Sequence, residues 1–361
     1  MDKELQIKLE PLREKIDRID HEILGLINER AKTAQAVGDL KHEHHAQGPV
    51  FRPERESQVI RTLQQENQGP VTADGVQAIW SQIISVCRGL EQDISVAYLG
   101  PAGSFSEQAA FEFMGQAISG VSCPNFDEVF RTVESQGAHV GIVPVENSTE
   151  GAVNRTLDLL LNTPLHIVGE YSLPIRHCLL TQSGEMDKVT KVLAHPQALA
   201  QCQHWLGMNH PTLTREPVAS NAEAARIAAS DPTVAAIASH NAARAWQLTV
   251  VAEGIQDDPM NRTRFLAIGA IDTLPSGRDK TSLIMAVANQ AGAVYKMLAP
   301  FSDNGVSMTR FESRPSRTGQ WEYHFYVDIE GHQREPAVAK ALEELRTRCA
   351  FLKILGSYPR Q

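Results

Sequence analysis

The first forty residues constrain this chain most. Leu5, Leu9, Leu12, Ile16, Ile19, Ile23 and Leu26 recur at spacings of 3 and 4, the repeat of a helix with one apolar seam. His42, Gly48 and Pro49 break the repeat, which predicts one long helix over 5–41. A second helix is expected over Arg52–Gln65, with Pro53 tolerated in its first turn and Gly69 and Pro70 ending it. A third is expected over Val71–Leu90. Three helices of such unequal length cannot bury the first one alone, so dimerisation is expected. Continuing the seam from Leu26 reaches Arg30. A cation on an apolar seam is costly unless paired, so Arg30 is expected to be an ion-pair partner or a ligand for an anion.

The periodicity changes at Ile94. Val96–Leu99, Val140–Val145, Ile167–Val168, Val189–Ala194, Val234–Ala238 and Phe265–Ile268 read as strands separated by helical stretches. That alternation predicts an α/β sheet protein, with a length suited to two lobes around a cleft. Residues 271–281 read as a linker. Beyond them come a strand over 282–288, a helix over 291–301, strands over 304–312 and 321–330, a helix over 336–349 and a strand over 351–355. This βαββαβ order is the ferredoxin-like arrangement. The expected fold is therefore multidomain: all-α over 1–93, two-lobed α/β over 95–271 and α+β over 281–361.

Composition excludes several classes. A formal net charge of -9 argues against general binding of nucleic acid or anionic membranes. It also means that an anionic substrate would need local Arg or Lys. The 5 cysteines are scattered without a Cys-x-x-Cys pair, so neither a disulfide framework nor a metal site is expected. His42, His44 and His45 have no supporting carboxylate or cysteine framework and read as a solvated loop. Without a long apolar run or a signal peptide, a reduced cytoplasm is the expected location.

Three polar segments stand out within the α/β region: Gly-Pro-Ala-Gly-Ser-Phe-Ser at 100–106, Pro-Val-Glu-Asn-Ser-Thr at 144–149 and Asn-Arg-Thr-Arg-Phe at 261–265. Hydroxyls and amides at strand ends and helix starts build anion sites together with backbone N–H groups. Ser104, Ser106, Ser148, Thr149, Ser220 and Asn221 are placed for that role, although Ser106 and Ser220 would serve equally as helix N-caps. His177 and Cys178 adjoin the apolar Leu179-Leu180, which favours a core or hinge role over nucleophilic catalysis.

In that order and spacing, the three segments resemble the prephenate dehydratase family. The resemblance implies that Thr263 donates a proton to a leaving hydroxyl, and it marks Arg264, Phe265, Glu146, Asn147 and Gln201 as further site positions. An aliphatic hydroxyl is a poor acid, so Thr263 would have to be polarised or act through a hydrogen-bonded network. Arg264 is placed to bind carboxylate or fix the loop, and Phe265 to wall the site.

The N-terminal region resembles the all-helical chorismate mutases. Their pericyclic reaction needs no nucleophile, only cations at the substrate carboxylates and donors at the ether oxygen. The matching positions are Arg13, Arg30, Lys41, Arg52, Arg55, Glu56, Cys87 and Glu91. Arg30 and Lys41 share a helix face roughly 16 Å apart, whereas Arg13 lies roughly 25 Å from Arg30 and would have to enter from a partner subunit. Glu91 stands where the bacterial pattern has Gln and would have to be protonated to donate. Arg52 stands where Asp is common.

The C-terminal region resembles an ACT domain, a small amino-acid-sensing module. Gly292, Ala293 and Val294, with Glu312, Ser313, Arg314 and Pro315, correspond to its two phenylalanine-binding segments, although Gly-Ala-Val-Tyr replaces the usual Gly-Ala-Leu-Val. The whole chain thus resembles the bifunctional chorismate mutase–prephenate dehydratases. The resemblance implies chorismate and prephenate as substrates, L-phenylalanine as inhibitor, a homodimer or higher oligomer, and no cofactor. The competing readings are a non-catalytic sensor of small anions and a dehydratase whose helical region only dimerises.

Overall fold

The computed structural model describes residues 3–44, 48–287, 290–315 and 323–360. It separates into two compact units. One comprises the residues up to Arg52, Ile60–Ile94 and Met114–Ile118; the other comprises Pro53–Val59, Ser95–Phe113 and the residues from Ser119 on. The segments on either side of 271–281 thus cluster together in one compact unit.

The first unit is helical. The seam forms one 41-residue helix, α1 (Lys3–Glu43), followed by α2 (Pro53–Glu66) and α3 (Ala73–Glu91). His42 thus continues the helix rather than starting a loop, and His45 lies outside the described residues. α3 begins where the Thr72 side chain accepts from Gly75 N–H, a standard N-cap. Phe51, Val76, Ile84 and Cys87 are buried in this unit. The N-terminal half of α1 covers none of its own seam: Leu12, Ile16, Ile19, Ile23 and Leu26 are 42–66% exposed.

The second unit opens with β1 (Ser95–Leu99), α4 (Phe105–Met114), β2 (Ser119–Cys123), α5 (Phe126–Glu134), β3 (Val140–Asn147), the short β4 (Gly151–Ala152), α6 (Asn154–Asn162) and β5 (His166–Pro174). A second lobe follows with β6 (Cys178–Thr181), β7 (Lys191–Ala194), α7 (Pro196–Gln201), α8 (Gln203–Asn209), β8 (Thr214–Pro217), α9 (Asn221–Ser230), β9 (Val234–Ala238), α10 (His240–Ala245) and β10 (Thr249–Glu253). The chain then returns to the first lobe as β11 (Arg262–Gly269). The first sheet runs β2-β1-β3-β11-β5, with β11 antiparallel to both neighbours. The second runs β10-β6-β9-β7-β8. β11 starts at Arg262, three residues before the start expected at Phe265, because Asn147 and the end of β5 pair with its first residues.

The last segment is β12 (Asp279–Ala286), α11 (Ala293–Asp303), β13 (Met308–Pro315), β14 (Tyr323–Glu330), α12 (Pro336–Arg348) and β15 (Phe351–Pro359). Its sheet order, β13-β14-β12-β15, completes the expected βαββαβ fold. The stretch read as a linker is pinned down instead. Thr273 and Ser276 are buried, the Thr273 hydroxyl donates to Ser357 O, and the Thr273 carbonyl lies 3.1 Å from His332 Nε2.

This sheet packs on the first lobe. Ile284, Tyr326, Leu355 and Tyr358 belong to one buried cluster with Val143, Leu157, Leu160 and Leu266. Lys353 donates at 2.6–3.0 Å to the carbonyls of Leu160, Leu161 and Thr163 at the end of α6, where the helix leaves its last carbonyls unpaired. Gly356 has φ +151°, and a Cβ there would stand 2.2 Å from Ile167 O on β5. The two sheets approach this closely only because a side chain is missing. Gly356→Ala is expected to lower stability by about 3 kcal/mol through strain and overpacking. Urea unfolding checks it, and an unchanged midpoint would contradict such close contact.

Candidate active site

Asn147 ends β3, and its amide organises the site. Its Oδ1 accepts from the backbone N–H of Thr149 (3.0 Å) and Glu150 (3.1 Å), and its Nδ2 donates to the Arg262 carbonyl (3.2 Å). Backbone N–H groups only donate and carbonyls only accept, so these three contacts fix which end of the amide is which. The consequences spread to the side chains. The Thr149 hydroxyl must donate to Asn147 Oδ1 (2.7 Å), and Thr263 Oγ1 must accept from Asn147 Nδ2 (2.8 Å). Asn147 Nδ2 also meets Asn261 Oδ1 at 3.0 Å. Among the described residues, the Thr263 proton has no protein acceptor.

Thr263 and Phe265 line a cleft of about 570 Å³. Gly103–Ser106 and Ser220–Ala222, at the N-termini of α4 and α9, line it too, as do Asn147, His177, His195, Gln197 and Gln201. The Ser220 hydroxyl caps α9 through Glu223 N–H. At α4 the cap is Ser104, which accepts from Glu107 N–H at 3.2 Å; Ser106 lies buried inside the helix. Asn221 Oδ1 accepts from His195 N–H (2.9 Å), and Ser148 Oγ accepts from Arg262 N–H (3.0 Å). Among the described residues no Arg or Lys lines the cleft, contrary to the expectation for an anionic substrate. Two helix N-termini supply donors and positive dipole ends in their place.

Two expected site residues turn the other way. Arg264 follows Thr263 on the strand and projects to the opposite face. There it meets Glu170 (2.8 Å) and Asp328 of β14 (2.6 Å), with Tyr358 Oη at 3.1 Å. Burial works to lower its pKa, but Tyr358, Asp328 and Glu170 together raise it. Lys280 also grips Glu170 at 2.6 Å. Arg264 is thus paired with protein carboxylates on β5 and β14, which fix it on the face away from the cleft. Glu146 likewise meets Arg310 of β13 at 2.9 Å and is not a cleft-lining residue.

Asn261 and His177 were not singled out for this site by sequence. Asn261 is buried, donates to Gln201 Oε1 at 3.0 Å and accepts from Asn147. It lies within the Asn-Arg-Thr-Arg-Phe run, so its neighbours were the available signal. His177 lies 3.0 Å from the same Gln201 oxygen, a contact across 24 residues that no local pattern reveals. Burial pushes the Cys202 thiol up to about 12 and also raises Cys178.

In the helical unit, Lys41 donates to Glu91 at 2.6 Å, between the ends of α1 and α3. The close approach depends on Gly38, where a Cβ would stand 2.8 Å from Glu91 Cγ. Among the described residues Arg30 has no carboxylate partner. Cys87 is buried in α3, Arg13 lies 3.9 Å from Glu10 on the exposed half of α1, and Arg52 is exposed. Arg55 and Glu56 lie on α2 in the part that clusters with the second unit.

In the C-terminal segment, Gly292 has φ +75° and caps α11. The cavity beside it, of about 370 Å³, is lined by Val287, Gln290, Ala291, Ala293, Lys296 and Arg348. None of Glu312–Pro315 lines it. Arg314 is turned onto α6, meeting Asp158 at 2.9 Å, and Val294 is exposed.

The sequence matches three families in order: chorismate mutase type II over residues 12–92, prephenate dehydratase over 96–273 and the ACT domain over 281–347. It is 49% identical to a bifunctional chorismate mutase/prephenate dehydratase of Neisseria gonorrhoeae, over 97% of this chain and 96% of that one. A protein of the same description from Pseudomonas aeruginosa is 44% identical over 98% of both chains. Among solved structures, prephenate dehydratase in complex with L-Phe from Arthrobacter aurescens aligns with a TM-score of 0.69 at 32% identity, covering 74% of this chain and 90% of that one.

Proposed function

We propose, from the premise that this chain belongs to the family of bifunctional chorismate mutase/prephenate dehydratases, how its own residues perform the two reactions and their control. The enzyme rearranges chorismate to prephenate, then converts prephenate to phenylpyruvate, and L-phenylalanine inhibits it through the ACT domain. The working division follows the sequence reading: mutase in 1–93, dehydratase in 95–271 and regulation in 281–361.

In the dehydratase cleft, prephenate loses its ring carboxylate as carbon dioxide. The electrons of that bond enter the ring, and the ring hydroxyl leaves as water after taking one proton. Thr263 donates that proton. The supporting observation is that its oxygen accepts from Asn147 while its proton is left free toward the cleft. Negative charge building on Oγ1 then meets an N–H already in place, at no reorganisation cost. The N-termini of α4 and α9, with Ser104, Ser148, Ser220 and Asn221 shaping the adjoining loops, hold the carboxylates, and Phe265 walls the ring. The mutase site takes Arg30, Lys41, Arg55, Glu56, Cys87 and Glu91 from one subunit and Arg13 from another, with Arg52 at its edge. A homodimer or larger assembly covers the exposed seam of α1, and a single monomeric species in sedimentation would contradict it. The enzyme works in the cytoplasm, where its substrates would be made; fractionation of cells tests this.

Phenylalanine binds at Gly292–Val294 and Glu312–Pro315, where ACT domains of neighbouring subunits meet. Its effect reaches Thr263 along β11, because the adjacent Arg264 is held by Asp328 of the regulatory sheet. Asp328→Asn is expected to raise the phenylalanine concentration for half-inhibition by about tenfold, while uninhibited turnover changes little. An unchanged inhibition curve would contradict this route.

Purified protein supplied with chorismate is expected to yield phenylpyruvate, whereas Thr263→Ala accumulates prephenate with turnover lower by roughly 10²–10⁴-fold. Chorismate left unconsumed would reduce the helical unit to a dimerisation element. Prephenate left unconverted by the wild type would favour the sensor reading.

A further inference from the structure

His177 lies where the chain crosses between the two lobes. β5 leaves the first lobe at Pro174, and β6 begins the second at Cys178. The return crossover runs beside it: Ile255 N–H donates to the His177 carbonyl at 3.0 Å, and Gln256 Oε1 accepts from His177 N–H at 2.9 Å. The ring is 2% exposed, stands edge-on to Phe105 at 5.5 Å and borders the cleft.

The polarity set by the backbone around Asn147 reaches this ring. Asn261 Oδ1 accepts from Asn147, so Asn261 turns its Nδ2 toward Gln201 and needs an acceptor there. Gln201 must therefore present Oε1 to Asn261 and Nε2 to Thr149. The second arrangement is consistent, because the Thr149 proton is already given to Asn147 and its oxygen is free to accept. Gln201 Oε1 is then the atom facing His177 Nε2 at 3.0 Å, so Nε2 must carry the proton. In the neutral ring Nδ1 is left bare, and it is buried with no hydrogen-bond partner among the described residues. Burial also pushes the ring's pKa down, which favours the neutral form.

We infer that His177 is a positioning residue for the dehydratase step: its Nε2–H, together with Asn261, holds the Gln201 amide so that Gln201 Nε2 donates to Thr149 and the Thr149 proton stays on Asn147 Oδ1, next to Thr263. The chain runs His177, Gln201, Thr149, Asn147, Thr263, each member donating to the next. A half-turn of the Gln201 amide would set its Nε2 against the Asn261 Nδ2 donor. It would also offer an oxygen to Thr149, whose proton would leave Asn147. Two locks prevent this, Asn261 on the return crossover and His177 on the outgoing one. An apolar ring would fill the same space without leaving a bare nitrogen buried, so packing alone does not account for an imidazole here.

The inference rests on the reading that this cleft dehydrates prephenate. Three substitutions separate it from a merely structural role, each assayed for turnover and KM with prephenate and for mutase rate with chorismate. A glutamine can set an N–H near the Nε2 position, an asparagine only near Nδ1, and a leucine nowhere. His177→Leu and His177→Asn are expected to lose about 10- to 100-fold in dehydratase turnover, with KM and mutase rate changing far less. His177→Gln is expected to stay within about threefold of wild type. Equal losses in the glutamine and leucine variants, or a leucine variant with normal turnover, would overturn the inference. Wild-type protein that leaves prephenate unchanged would instead overturn the reading beneath it.

Discussion

One amide holds the dehydratase site together. Asn147 binds the backbone of the two residues that follow Ser148 and, on its other side, an atom from each of Asn261, Arg262 and Thr263. The end of β3 and the start of β11 are 115 residues apart in sequence, and this side chain ties them at one point. Buried amides so fully engaged are rigid, and replacing one leaves several partners unsatisfied at once. The site's rigidity therefore follows from where β3 stops, which places Asn147 at the strand end with its side chain free to bridge.

β11 then acts with two faces. Thr263 and Phe265 look into the cleft, and Arg264 looks into the regulatory sheet, where Glu170, Asp328, Lys280 and Tyr358 surround it. Buried charges are expensive to hold and costly to leave unpaired, and Glu170 and Asp328 together hold Arg264 in place. Asp328 belongs to β14, so a change in the regulatory sheet alters the footing of the residue next to Thr263. Lys353 on the end of α6 and the missing side chain at Gly356 keep that sheet close enough for the contact.

Much of this was legible in sequence. The seam from Leu5 to Leu26 announced α1, and the βαββαβ order announced the regulatory fold. The three polar runs marked the cleft because each lies at the end or the start of a strand. What sequence could not supply was the side to which a strand residue points. Glu146 and Arg264 sit beside Asn147 and Thr263 yet face away, as strand alternation requires, but the sequence does not say which of the two alternating sets meets the cleft. Anion binding without Arg or Lys depends on where two helices start in space, and Ser104 rather than Ser106 begins one of them. The stretch 271–281 looked like a linker because its burial comes from residues near 332 and 357. His177 looked like core, and it is buried; only the distance to Gln201 distinguishes it.

By donating to Thr263, Asn147 leaves the threonine proton for the cleft. Asn147→Asp tests it most directly, because the carboxylate keeps the shape and the acceptor for Thr149 and Glu150 but replaces the donor with a second acceptor. The measurement is dehydratase turnover of this variant at neutral pH, with the mutase rate as an internal control. The expected result is a loss of roughly a hundredfold or more with the mutase rate intact. Turnover close to that of the wild type would contradict it.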